Sequence, residues 1–184
     1  LLQILYHQPE KKSKRITAHF FLSFFLWNLG ISWWIWNASA FGMFFAVLVN
    51  SSLMTIVFML SRMVIRKLSA QAGLLFLTTF WMSFELLHLH WDFSWPWLQL
   101  GNVFSETTSW IQWYEYTGVF GGSLWVMIVN ILFYKAIRAN EFRLRKMAIA
   151  VLTIAIPVCI SLSIYANYQP QNNKAVEVVI AQPN

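Results

Sequence analysis

Five stretches without a lysine or arginine, each about as long as a bilayer is thick, leave this chain little choice of fold. They run Thr17 to Ile35, Ala40 to Leu60, Ser69 to His90, Thr117 to Tyr134 and Met147 to Tyr165. A helix needs about 20 apolar residues to cross the hydrocarbon. Only a helix or a closed barrel satisfies every backbone N–H and C=O at that depth. The 184 residues are 58% hydrophobic and 11% charged, against about 25% charged in soluble domains. The fold class that follows is an all-α integral membrane bundle, with five complete transmembrane helices, one long periplasmic loop and the first strand of a soluble α/β domain.

A net charge of +6 raises the question of an anionic partner such as nucleic acid, and the placement of the charge answers it. Lys11, Lys12, Lys14 and Arg15 form one cluster, Arg62, Arg66 and Lys67 a second, and Lys135, Arg138, Arg143, Arg145 and Lys146 a third; only Lys174 stands apart. The clusters alternate with connections that carry no basic residue, as cytoplasmic loops do under the positive-inside rule. The charge therefore sets topology, and a nucleic-acid surface is excluded. The orientation that follows puts Trp91 to Tyr116 and the C-terminus on the outer side of the membrane, away from the basic clusters.

The expected domains are a transmembrane domain at 1–166, a linker at 167–174 and, at 175–184, the opening of a soluble domain, since the run AVEVVIA is β-branched and strand-like. A start on Leu1 and an end on Asn184 are expected of a fragment, with Leu1 to Tyr6 as the tail of an earlier helix. Asn50, Ser51 and Ser52 fall near the middle of the second span and should face a neighbouring helix or a wet cavity, with interhelical hydrogen bonds favoured over a substrate contact. Gly118 and Gly122 are spaced for close helix approach. Pro157 removes one backbone bond from the last span and should kink it.

Trp81 to Asn102 reads WMSFELLHLHWDFSWPWLQLGN, and apolar packing alone does not account for it. Tryptophan favours the bilayer interface, where its ring and its N–H are both accommodated. Pro96 ends any helix before Trp95. The segment Trp91 to Tyr116 is too aromatic for a disordered linker, and loops of its length usually carry function. It is expected to lie at the interface as a lid or collar.

Trp81, Glu85, the block Trp95 to Asn102, the segment QWYEYTGVFGG from Gln112 to Gly122 and the terminal Gln182, Pro183 and Asn184 together resemble bacterial apolipoprotein N-acyltransferase, its N-terminal membrane part. The resemblance implies that the whole enzyme moves an acyl chain from a phospholipid donor to the N-terminal diacylglyceryl-cysteine of an apolipoprotein acceptor. It also implies that the glutamate, lysine and cysteine of the catalytic triad lie in a nitrilase-like domain downstream of Asn184. No catalytic residue, cofactor or metal is then expected in this chain, whose role is access for lipid and substrate. Trp95, Pro96, Trp97, Gln99, Asn102, Trp113, Tyr114 and Glu115 are the implied lipid- or substrate-binding candidates, with Glu85 beside them. Relatives commonly place an arginine shortly after this glutamate, where the present chain has His88 and His90.

Each candidate also has a plainer reading. Glu85 either anchors the tryptophan loop or meets substrate, since an intramembrane carboxylate marks function by default but water is near at a helix end. His88 and His90 are two apart on a helix and cannot face one ion. Cys159 lies in an apolar helix without a neighbouring cation to stabilise a thiolate, and reads as packing. Two other functions remain open: a small transporter or channel, which would need polar residues along several helices, and a membrane anchor, which would not need the tryptophan-proline loop.

Overall fold

The computed structural model describes residues 13–168, together with Leu2 and Leu5. The tail Leu1 to Tyr6 apart from those two leucines, the 169–174 part of the linker, the strand-like 175–184 segment and the Gln182-Pro183-Asn184 motif lie outside the described residues. Five long helices follow one another: α1 (Ser13–Ser32), α2 (Ala40–Lys67), α3 (Ala70–His90), α4 (Tyr114–Ile137) and α5 (Arg143–Asn167). Among the described residues, these five are long and apolar enough to cross a membrane.

α2, α4 and α5 outlast the apolar runs that announce them, while α1 is shifted toward the N-terminus and α3 keeps to its run. α2 continues through Arg62, Arg66 and Lys67, so that the second basic cluster is helix and not loop. Likewise α1 begins before Thr17 and α5 begins at Arg143. Arginine and lysine are good helix formers, so a basic cluster need not end a helix. Capping sets where the next helices begin: Ser39 and Ser69 accept hydrogen bonds from the Gly42 and Ala72 amides at 3.0 and 3.1 Å, starting α2 and α3.

The buried faces follow helical spacing. On α1 the buried stripe is Ile16, Phe20, Phe24, Asn28 and Ser32, every fourth residue; on α3 it is Leu74, Leu77, Trp81, Phe84, Glu85 and His88. These faces meet α2 around Met54, Val57 and Phe58. Polar residues point inward while Leu22, Leu26, Phe41 and Ile56 point outward, the reverse of a water-soluble bundle and the arrangement a bilayer requires. Asn50 donates to Asn28 Oδ1 at 2.6 Å, and Asn28 donates to the Phe24 carbonyl at 2.8 Å. Asn50 and Ser51 thus bond across helices as expected, while Ser52 is exposed and bonds the Leu48 carbonyl of its own helix at 2.7 Å.

α4 and α5 pack together at the side of this core. α5 keeps Pro157 inside one uninterrupted helix. Proline has no N–H, so the Thr153 carbonyl four residues earlier loses its helical donor. Trp125 of α4 fills that role, its indole N–H donating to the Thr153 carbonyl at 2.6 Å. Cys159 is exposed on the outside of α5, so it is not the core-packing residue that its apolar surroundings suggest.

Candidate functional site

At the end of the bundle opposite the Arg66 and Arg138 clusters, the chain between α3 and α4 forms three short 3-10 turns, Pro96–Leu98, Leu100–Phe104 and Thr108–Trp110. Pro96 opens the first of them, with Trp95 outside the helical region at φ −124° and ψ 67°, as a residue before proline must be. The segment turns back onto α4 and α5.

Glu85 holds this segment. Its side chain is 2% exposed. One oxygen, Oε1, accepts the Trp81 indole N–H at 2.9 Å and the Leu100 backbone N–H at 2.9 Å. The first contact spans one helical turn; the second reaches across to the loop. Oε2 is equally buried and has no protein partner among the described residues. Of the two roles open to Glu85, anchoring the loop is the one with bonds in place.

Gly101 comes next and is gripped from both sides. Its N–H donates to Ser123 Oγ at 2.9 Å, and its carbonyl accepts from the Tyr114 hydroxyl at 3.0 Å. A β-carbon here would collide with the Val119 carbonyl of α4, so only glycine allows the loop to lie this close. Asn102 then donates to the Pro96 carbonyl at 2.7 Å, closing the first turn on the second.

The small residues of α4 serve this grip rather than a neighbouring helix. A β-carbon on Gly122 would strike the Tyr114 hydroxyl. Nothing lies within 4 Å of the β-carbon position of Gly118, whose φ of +66° and ψ of −175° break the helix after its first turn. That conformation is essentially reserved for glycine. Gly118 thus supplies a kink that brings Tyr114 back over Gly122, and not the surface for helix contact that its spacing suggests. Gly118→Ala is expected to cost about 1–3 kcal/mol, seen as a lower unfolding midpoint together with faster amide exchange at Gly101, which a purely local strain would leave unchanged.

His88 lies beneath the loop, 3% exposed, with ring centroids 4.6 Å from Phe84, 5.3 Å from Trp91 and 5.5 Å from Trp95. Trp91 donates its indole N–H to His88 Nδ1 at 3.2 Å. An Nδ1 that accepts leaves the proton of a neutral ring on Nε2. His90 points elsewhere, exposed and bonded to the Leu86 carbonyl at 3.0 Å, so His88 and His90 do not converge. Nor does His88 pair with Glu85, whose bonded oxygen is taken by two N–H donors.

The remaining candidates separate into two groups. Trp95 and Gln99 are only 8% and 5% exposed, and Trp113 meets Tyr114 edge-on at 4.7 Å and Trp125 edge-on at 5.7 Å; with Glu85, Pro96, Asn102 and Tyr114 they belong to the loop's root. Trp97 and Glu115 do not. Trp97 is 38% exposed, with its ring edge-on to Trp34 at 5.7 Å. Glu115 is exposed in the first turn of α4, where a carboxylate is favoured by the helix dipole. Leu100 and Gly101 stand inside the Trp95 to Asn102 block and Ser123 among the small residues of the fourth span, but the sequence gives none of the three a role at the site. The signal for Ser123 was its place directly after the Gly121-Gly122 pair.

Below this root an apolar groove of about 530 Å³ runs between α1, α2, α3 and α4, lined by Trp27, Phe58, Leu77, Trp81, Leu100 and Met127 among others. Trp27 and Trp81 stack at 6.5 Å and 7° to form one wall. Trp81 and Leu100, the two donors to Glu85, thus also border the groove. The polar anchor and the apolar slot share residues.

Residues 1–132 match the family model described as the apolipoprotein N-acyltransferase N-terminal domain. The chain is 26% identical over 167 residues to the apolipoprotein N-acyltransferase of Chlorobaculum tepidum, an alignment covering 89% of this chain and 31% of that relative. This chain therefore spans about a third of that relative's length. No solved structure matches.

Proposed function

This chain belongs to the apolipoprotein N-acyltransferase family, matching its N-terminal domain, and from that premise we propose that it is the membrane part of an enzyme that carries an acyl chain from a phospholipid to the N-terminal diacylglyceryl-cysteine of lipoproteins. Residues 1–166 form its membrane domain in a bacterial inner membrane, with the basic clusters cytoplasmic and the tryptophan loop periplasmic. The chain's own contribution is docking and orientation.

One observation carries this reading. An amphiphile needs an apolar slot that ends at a polar fixed point, and the groove beside Trp81 ends at Leu100, whose N–H rests on Glu85. An acyl chain would lie in the slot while its ester and headgroup meet the loop. Holding the reacting lipid in one place and orientation is how a site without a nucleophile of its own contributes to rate. A transporter would need a polar path through the bundle, yet Asn50 donates to Asn28, and Asn28 donates to the Phe24 carbonyl of its own helix.

Trp97 supplies the test, because it is exposed and supports little of the fold. Trp97→Ala in the full-length enzyme is expected to lower lipoprotein N-acylation about tenfold, ~1.4 kcal/mol of transition-state stabilisation, at unchanged protein abundance. The acylation state of a lipoprotein N-terminus is read by mass spectrometry. Normal acylation would instead make this chain an anchor only.

A further inference from the structure

A second cavity lies at the opposite end of the bundle, and nothing in the acyl-transfer reading uses it. It measures about 560 Å³ and is lined by Gln71 from the start of α3, Lys135 and Arg138 from the end of α4 and Lys146 from the start of α5, with Leu132 and Ile149 on its apolar side. The positive-inside rule accounts for cations at this end. It does not require three of them, from two helices, to line one concavity, while Arg143 and Arg145 of the same cluster stay outside it.

The lining contains no carboxylate. Glu141, in the connection between α4 and α5, is exposed and not part of it. α5 moreover opens with Arg143, Arg145 and Lys146, no acidic residue in its first turn and no side-chain cap, so cations stand where the helix dipole favours an anion. An anion from elsewhere would relieve that arrangement. Because the cavity has Leu132 and Ile149 along one side, and Ile137 and Leu144 exposed nearby at 56% and 87%, the anion should carry an apolar tail.

We propose that this cavity binds the phosphate of an anionic phospholipid in the leaflet at the basic end of the bundle. Lys135, Arg138 and Lys146 meet the phosphate oxygens, the Gln71 amide adds a donor, and the acyl chains run past Leu132 and Ile149. Basic pockets between transmembrane helices are suited to such headgroups. The site is separate from the tryptophan loop and does not depend on the acyltransferase reading.

The test compares two variants that remove equal charge from the purified protein in phosphatidylcholine vesicles: Lys135→Gln with Arg138→Gln, and Arg143→Gln with Arg145→Gln. Spin-labelled phosphatidylglycerol is the probe and spin-labelled phosphatidylcholine the reference. The wild type is expected to immobilise the phosphatidylglycerol label preferentially. The first pair should weaken that preference on the order of tenfold, and the second should leave it close to wild type. Should the first pair misfold, as judged by thermal unfolding, Lys146→Gln replaces it and is expected to lower the preference as well. Equal losses from both pairs would mean diffuse attraction to the membrane surface, and no wild-type preference would mean no site; either overturns the proposal. Displacement of the label by millimolar inorganic phosphate would overturn it too, by making this a site for the free ion.

Discussion

Glu85→Ala is expected to release the tryptophan loop, whereas Glu85→Gln is expected to keep it. The carboxylate's Oε1 accepts from both the Trp81 indole and the Leu100 amide. Alanine leaves both donors buried without an acceptor, at roughly 1–3 kcal/mol each, and adds a cavity beside Trp81. Glutamine keeps a carbonyl oxygen with two lone pairs for the same donors. Its cost is one new amide group where Oε2 now lies without a protein partner. Amide exchange at Leu100 and Gly101 should therefore rise steeply in the alanine variant and slightly in the glutamine variant, and lipoprotein N-acylation by the full-length enzyme should fall in the same order. If glutamine and alanine were equally damaging to acylation while only alanine loosened the loop, Glu85 would be acting through its charge on substrate, and the anchoring role would not explain the activity.

The five spans were legible because a bilayer allows few alternatives: uncharged length alone marks a helix where no water can satisfy the backbone. Helix ends were less legible, since Arg62, Arg66 and Lys67 end the apolar signal without ending the helix. Inward and outward faces were hidden by composition. Leu22 and Leu26 face out while Phe20 and Phe24 face in, and no contrast of polarity separates them. Polar residues gave the better clue: Asn50 announced an interhelical bond, but its partner Asn28 could not be chosen from sequence. The same holds at the loop. Glu85 and the tryptophan-proline block stood out by residue type, whereas Gly101, which the loop cannot lose without meeting the Val119 carbonyl, looks in the sequence like any turn glycine. Gly118 shows the converse, a spacing that fits helix contact but is used for a backbone kink.

Trp125 and Pro157 are expected to be coupled, so that removing one makes the other matter less. Pro157 denies the Thr153 carbonyl its helical donor, and the Trp125 indole supplies one from α4 at 2.6 Å. In Trp125→Phe, an aromatic ring still fills the space near Phe104 and Trp113, but the carbonyl is left alone inside the span, at about 1–3 kcal/mol. In Pro157→Ala, residue 157 regains an N–H that bonds the carbonyl within α5; the carbonyl has room for both donors. Trp125→Phe should therefore destabilise the wild-type background by that amount and the Pro157→Ala background by clearly less. Reversible unfolding of the four proteins in a detergent titration measures the difference as a double-mutant cycle. An identical cost of Trp125→Phe in both backgrounds would show that the tryptophan holds α4 to α5 by packing alone. A reduced cost would mean that the proline creates the acceptor by which the two peripheral helices are joined, and with them the Trp113 and Phe104 side of the loop.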